Sequence, residues 1–170
     1  IRMKAIIYTS NTGSTAEYAQ LLGNELNLPV HSLQQAKHKV PAGSEIIYLG
    51  WIMAGGIKGY KEAAKLYKVR AVCGVGMGQT GTQLKEVRDK NAIPQRIPLF
   101  TLQGNFDVKK LHGVYRFMMN VMVKTAGKGL ANKTDRTPEE DDMLDMMVNG
   151  GKRVSLQNLN AVTEWYNNLN

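Results

Sequence analysis

Four hydroxyl side chains lie within six residues near the start of the chain, in the segment Ser10-Asn11-Thr12-Gly13-Ser14-Thr15. This segment follows a β-branched and aromatic run, residues 4–8, and precedes residues 16–22, whose apolar positions recur at helical spacing, so it should join a strand to a helix. The first amides of a helix lack intrahelical acceptors and lie at the positive end of the helix dipole. With hydroxyl groups as additional donors and Gly13 permitting close backbone approach, the pattern predicts an anion-binding loop.

The loop contains neither lysine nor arginine, which restricts the kind of anion it would hold. A P-loop NTPase requires a Gly-Lys-Ser/Thr ending, and the dinucleotide fingerprint requires three spaced glycines. A single phosphate group therefore fits the loop better than a nucleoside triphosphate or a dinucleotide. The simpler alternative is that the hydroxyl groups only cap the helix.

Strand patterns alternate with helix patterns along most of the chain. Strands are expected at 4–8, 29–33, 45–51, 69–75 and 97–102, and helices at 16–22, 59–67, 81–90 and 155–169, the last with Ser155 as its N-cap. Such alternation predicts an α/β fold in which a doubly wound parallel sheet carries helices on both faces.

More than forty residues, about 107–151, separate the fifth strand from the last helix and form an insertion that such a fold does not require. One amphipathic helix is expected at 111–124, and a second begins at the capping box of residues 137–140 and continues to Met147. We expect one domain, 1–170, that includes this insertion. Its methionines would pack as a helical hairpin, or its basic, methionine-rich face would contact an anionic membrane surface.

The loop at 10–15 resembles the FMN-phosphate loop of flavodoxins, in which Ser/Thr, any residue, Thr, Gly, any residue and Thr follow one another, and it matches at every specified position. The resemblance implies a flavodoxin-like fold with five parallel strands in the order 2-1-3-4-5 and one non-covalent FMN. It also implies that the loops after strands three and four hold the flavin ring, near its N5 edge and its pyrimidine edge respectively. The cofactor-binding residues would then be Ser10, Asn11, Thr12, Gly13, Ser14, Thr15, Trp51, Ile52, Met53, Ala54, Gly55, Gly56, Gly76, Met77 and Gly78, with Gln103, Gly104, Asn105 and Phe106 at the same rim through amide hydrogen bonds or an edge contact.

Trp51 has two interpretations at this stage. Its indole can stack on the ring in offset geometry, or it can be ordinary core at the end of a buried strand. The backbone of residues 54–56 is expected to approach the ring because its glycines allow it.

The position of the insertion, directly after residues 104–107, also resembles the layout of flavodoxin-like, menaquinone-dependent protoporphyrinogen oxidases. Two functions therefore stay open. One is an electron carrier that serves redox partner proteins without a catalytic acid or base. The other is an FMN-dependent oxidoreductase whose insertion forms a pocket for a quinone or another small-molecule acceptor, with His112 and Tyr115 as the candidates for proton transfer.

The formal net charge is +8, which favours anionic partners. No basic motif with interleaved aromatic residues is present, so nucleic acid is not expected as a partner. Classical flavodoxins are acidic and dock basic patches, and a basic chain would repel those patches. Cys73 is the only cysteine and is expected to be buried rather than reactive. With no apolar run of about 18 residues, a cytoplasmic location is expected, and the sequence fixes no oligomeric state.

Overall fold

The strands are rich in β-branched and aromatic residues, which favour extended backbone. The computed structural model describes residues 2–106, 124 and 127–169. Its strands are β1 (Ala5–Thr9), β2 (Val30–Ser32), β3 (Glu45–Met53), β4 (Gly56–Ile57), β5 (Lys68–Gly76) and β6 (Leu99–Gln103). The sheet order is β2-β1-β3-β5-β6 with parallel pairing throughout, and β4 pairs antiparallel with the end of β3. The predicted α/β fold is confirmed, and the predicted order holds once the two-residue β4 is set aside.

Helices cover both faces of the sheet. They are α1 (Ser14–Leu26), α2 (Leu33–Lys39), α3 (Tyr60–Leu66), α4 (Leu84–Asn91), α5 (Pro138–Asn149) and α6 (Asn160–Asn167), with a 3-10 turn (Leu156–Leu159) before α6. Alternate residues of a strand point to opposite faces. In β3, Ile46 and Tyr48 therefore pack with α2, α3 and α4, whereas Ile47 and Leu49 pack with α1 and the last helix.

Two local differences from the sequence prediction concern helix starts. The second strand was expected to run to residue 33, but it ends at Ser32, whose hydroxyl accepts a hydrogen bond from the Gln35 amide at 3.2 Å and caps α2. The predicted cap at Ser155 is wrong in its detail, because that side chain makes no capping hydrogen bond to the 3-10 turn. Cys73 is fully buried in β5, and this burial raises the pKa of its thiol to about 12, as expected of a structural cysteine.

The described part of the insertion contains α5 and a further helical stretch at 127–132. The capping box is confirmed: the Thr137 hydroxyl accepts from the Glu140 amide at 3.2 Å, and the Glu140 carboxylate accepts from the Thr137 amide at 3.3 Å. Phe106 and Gly151 form an antiparallel bridge, so the insertion leaves and rejoins the fold at one place. The predicted helix at 111–124, with His112 and Tyr115, lies outside the described residues apart from Lys124.

Among the described residues, the model contains no helix with the length and apolar character needed to cross a bilayer.

Candidate functional site

A cavity of about 290 Å³ lies at the carboxyl ends of β1, β3, β5 and β6, the edge where ligands bind in doubly wound sheets. Of the residues predicted to bind the cofactor, the cavity is lined by Asn11, Thr12, Ser14, Thr15, Trp51, Ile52, Met53, Ala54, Gly55, Gly76, Met77, Gly78, Gly104, Asn105 and Phe106. Ser10, Gly13, Gly56 and Gln103 are outside this lining. The structure therefore brings together most of a set that is spread over about a hundred residues of sequence, and cofactor contact itself stays a prediction.

The start of α1 forms one end of the cavity. Gly13 is the N-cap with φ of 109° and provides no side-chain cap, while the Ser10 hydroxyl accepts a hydrogen bond from the Ala16 amide at 3.3 Å. Within the described residues, no group accepts a hydrogen bond from the backbone amides of Gly13, Ser14 or Thr15. Capping by Ser10 thus uses one amide and leaves the preceding amides as donors at the positive end of the helix.

Asn11 adds a side-chain donor at this end. Its Nδ2 atom is buried and has no hydrogen-bond partner among the described residues, although the residue lines the cavity. A buried donor without an acceptor costs about 1–3 kcal/mol. An acceptor placed in the cavity would remove this cost.

A two-residue hairpin turn forms the opposite wall. Ala54 and Gly55 connect β3 to β4, and both have positive φ, 50° and 81°, as a type I′ turn requires. Trp51, before this turn, is half-buried and lines the cavity. The Lys58 ammonium group lies 5.8 Å from the centroid of its ring. Trp51 is therefore a wall of the cavity rather than ordinary core, and stacking on a ring stays a prediction.

Asn91, at the end of α4, holds the hairpin in place, and sequence analysis missed it. Its Oδ1 accepts from the Ile57 amide at 2.8 Å, and its Nδ2 donates to the carbonyl groups of Gly55 at 2.9 Å and Val87 at 2.8 Å. The side chain is buried. These bonds join the second turn residue and β4 to one helix, so they fix the position of the hairpin against the cavity.

Tyr48 also holds the hairpin side of the cavity in position. Its hydroxyl is hydrogen-bonded to Thr9 Oγ1 at 2.7 Å and to the Lys58 carbonyl at 2.6 Å, and burial raises its pKa. Gly59 has φ of 79°, and a β-carbon there would overlap the Tyr48 hydroxyl. A glycine is thus required where the chain leaves the hairpin.

In the loop after β6, two of the side chains predicted to bind the cofactor make hydrogen bonds within the chain. The Gln103 side-chain amide donates to the Met77 carbonyl at 3.1 Å and to Asp142 Oδ2 at 2.7 Å, and Asn105 Oδ1 accepts from the amides of Arg153 and Val154. These hydrogen bonds hold the loop in position, and contact of its residues with a ring stays a prediction. Phe106 lines the cavity and can still make an edge contact.

Helix α5 closes one side of the cavity through Met143, which no local sequence signal identified. Asp142 ties the helix down: it accepts from Gln103, and its Oδ1 lies 3.0 Å from Arg153 Nη2. The Gln103 hydrogen bond, followed by Arg153, lowers the pKa of Asp142. Every described residue that lines the cavity is uncharged and non-titratable.

A family model for the flavodoxin domain matches residues 5–132. No curated protein and no solved structure matches the chain, and the narrower resemblance to protoporphyrinogen oxidases finds no support in these comparisons. The matched region contains the loop at 10–15, the hairpin turn, β5 and β6, and thus nearly the whole cavity lining. The chain belongs to the flavodoxin domain family.

Proposed function

We propose that the chain binds one FMN non-covalently and transfers electrons through it to and from a redox partner. The observation that carries this proposal is the cavity itself, which connects unused amides at the start of α1 to a neutral wall formed by Trp51 and the hairpin turn. Bound there, FMN would supply reversible electron transfer through its ring system.

The phosphate end is suited to a monophosphate. Several groups favour a negative charge at the start of α1. They are the backbone amides of Gly13, Ser14 and Thr15, the side-chain amide of Asn11 and the positive end of the helix dipole. The Ser14 hydroxyl accepts from the Asn105 amide at 3.0 Å, which keeps its own hydrogen available to a phosphate oxygen. These groups would hold the phosphate without a lysine or arginine.

The lack of a side chain at Gly104 supports the same assignment. A β-carbon at this position would lie 3.1 Å from the Ser14 β-carbon and 3.0 Å from Val75 Cγ1, closer than ordinary contact. Glycine therefore allows the loop after β6 to approach the phosphate loop, so that both reach one ligand. A larger residue would separate them.

The ring end is suited to a flat heteroaromatic group. Trp51, Ile52, Met53 and Met77 supply apolar contact area, and the hairpin backbone lies at the same wall. Because the described lining has no titratable side chain, the chain's role there is to bind, orient and shield the ring. This favours electron transfer over a substrate reaction that needs a protein acid or base.

The direct experiment is to purify the chain, record its visible spectrum, release the chromophore by heat and compare it with FMN, FAD and riboflavin by chromatography. We expect FMN. Replacing Thr12 and Thr15 together by alanine should weaken FMN binding without unfolding the protein, whereas Thr134→Ala, at an exposed site in the insertion, should leave binding unchanged. A colourless protein that does not take up added FMN would contradict the proposal.

A further inference from the structure

The two ends of the cavity connect to opposite faces of the sheet. At one end, the loop at 10–15 leads into α1, whose buried side chains pack with Ile47 and Leu49 of β3. At the other end, the hairpin turn leads into β4, where Ile57 packs with Tyr48 on the face of α2, α3 and α4. A ligand that fills both ends must therefore match a spacing that depends on how the two faces are joined.

The hydroxyl group of Tyr48 joins the segments that lead to these two ends. It is bonded to Thr9 Oγ1 at 2.7 Å and to the Lys58 carbonyl at 2.6 Å. Thr9 is the last residue of β1 and directly precedes the loop at 10–15, whereas Lys58 directly follows β4. A carbonyl oxygen can only accept, so Tyr48 donates to Lys58 and accepts from the Thr9 hydroxyl.

Two glycines allow the hairpin exit, residues 57–59, to lie this close to β1. Thr9 pairs with Gly50 across the sheet, and a β-carbon on Gly50 would lie 2.5 Å from the Lys58 carbonyl oxygen. A β-carbon on Gly59 would lie 2.6 Å from Thr9 Oγ1. Both distances are well below van der Waals contact, so a side chain at either position would push the hairpin exit away from Tyr48.

Neither hydroxyl contacts the space that a ligand would fill. Tyr48 has no exposed surface, and neither Tyr48 nor Thr9 belongs to the described lining of the cavity. Their effect on a ligand must therefore come from the positions of the two ends, which makes them positioning residues.

We infer that the Tyr48–Thr9 hydroxyl pair sets the spacing between the two ends of the cavity and thereby favours a ligand whose ring and phosphate are covalently joined. This inference rests on the proposed function, with FMN as that ligand. A joined ligand gains from two correctly spaced ends because its second contact forms without a further loss of translational freedom. Riboflavin and inorganic phosphate each fill one end and gain nothing from the spacing.

The first test compares these three ligands on the unaltered chain and on Tyr48→Phe. FMN and riboflavin affinities are measured by flavin-fluorescence titration, and inorganic phosphate binding is measured by the NMR shifts of amides 10–16. We expect Tyr48→Phe to weaken FMN binding by about tenfold and to change riboflavin and phosphate binding by less than about twofold each. The bonds from Asn91 to the hairpin remain in this variant.

The matched control for this substitution is Tyr67→Phe. It also removes the hydroxyl of a buried tyrosine, which lies 3.5 Å from the Val40 carbonyl and outside the described lining of the cavity. All three affinities should match those of the unaltered chain.

The second test changes the other hydroxyl, on the half-buried Thr9. Thr9→Val keeps the shape of the side chain and its preference for a strand but removes the donor, so it should reproduce the loss of FMN affinity. Thr9→Ser keeps the hydroxyl and should restore FMN affinity to within about threefold of the unaltered chain. In the Tyr48→Phe, Thr9→Val double variant the loss should be no larger than in Tyr48→Phe, because the contact is already absent. Urea unfolding checks that each variant is folded before it is titrated.

Three results would overturn the inference: unchanged FMN affinity in Tyr48→Phe and Thr9→Val, a riboflavin loss as large as the FMN loss, or an equal FMN loss in Tyr67→Phe. The second would show that Tyr48 acts on the ring end alone, and the third that it acts through overall stability. Any of them, with FMN bound by the unaltered chain, would leave the proposed function in place. An unaltered chain that binds no FMN would contradict the proposed function and this inference with it.

Discussion

In the proposed phosphate loop, residues 10–15, three backbone amides have no acceptor among the described residues, whereas at the hairpin turn two backbone groups are hydrogen-bonded to a side chain of the chain itself. The amides of Gly13, Ser14 and Thr15 have no acceptor among the described residues. By contrast, the Gly55 carbonyl and the Ile57 amide are both held by Asn91. The first region has donors that can bind a ligand, and the second has hydrogen bonds that keep the turn in one position.

This difference indicates that the two ends of the cavity, at the start of α1 and at the hairpin turn, contribute to binding in different ways. Affinity and selectivity for a phosphate should depend on the donors of the loop and therefore on substitutions within it. The shape of the wall at the hairpin turn should depend on Asn91, which belongs to α4. The two ends can therefore be perturbed separately, with FMN and riboflavin as ligands that do and do not carry the phosphate.

The largest expected effect comes from Thr12→Glu, which places a carboxylate in the phosphate loop. Repulsion at short range should weaken FMN binding by about a hundredfold. Riboflavin binding should change little, because riboflavin has no phosphate. Flavin-fluorescence titration measures both affinities, and Thr12→Gln provides the uncharged control of equal size. Equal losses for the two ligands would break the proposed division between the ends.

Asn91→Ala should have the next largest effect. It removes three hydrogen bonds and leaves a buried amide and carbonyl without partners, which should lower the free energy of unfolding by about 2–3 kcal/mol. Riboflavin affinity should fall along with FMN affinity, since the ring wall is shared. Urea unfolding and the same titrations measure these changes, with the exposed Gln95→Ala as the control. A variant that lost only FMN affinity would contradict the role of Asn91 at the ring end.

Asp142→Asn tests how α5 is held against the cavity, and its effect depends on pH. The pKa of Asp142 is lowered in the folded chain from its ordinary value of 3.8, so its ionised form stabilises the fold above that pH. The stability that ionised Asp142 contributes is lost as the pH falls through its lowered pKa in the folded chain. The substitution should cost about 1 kcal/mol at neutral pH, and the difference from the parent should shrink below pH 3.8. Thermal unfolding over this range measures it, with the exposed Glu139→Gln as the control. A difference that is constant with pH would contradict the assignment.

The smallest expected effect is a gain in stability. Ala54 occupies the first central position of the type I′ turn with φ of 50°, a conformation that asparagine adopts more easily. Ala54→Asn should raise the free energy of unfolding in urea by about 0.5 kcal/mol. A loss of stability would show that the turn is held in another form.

The first loop, the strands and the capping box could be predicted because their sequence signals are local. The phosphate loop is six consecutive residues, the strands are continuous apolar runs, and the capping box at Thr137 spans one turn. Elements defined in this way can be predicted before any contact is known. The end of β2 was misjudged because Ser32 caps α2 directly, without a loop between strand and helix.

The rest depends on contacts between distant parts of the chain. Asn91 bonds to Gly55 and Ile57, more than thirty residues away, and nothing near Asn91 in the sequence indicates these partners. The Gln103 side-chain amide donates to the Met77 carbonyl and to Asp142 of α5, and no local signal indicated these partners. Met143 joins the cavity for the same reason, since only the docking of α5 brings it there.

The central claim is that a phosphate is held at the start of α1. Its most direct test is a comparison of FMN and riboflavin binding to the unaltered chain by fluorescence titration under identical conditions. The account predicts that FMN binds at least about a hundredfold more tightly, since several amide donors and the helix dipole act on the phosphate alone. Equal affinities for the two flavins, or no binding of either, would contradict it.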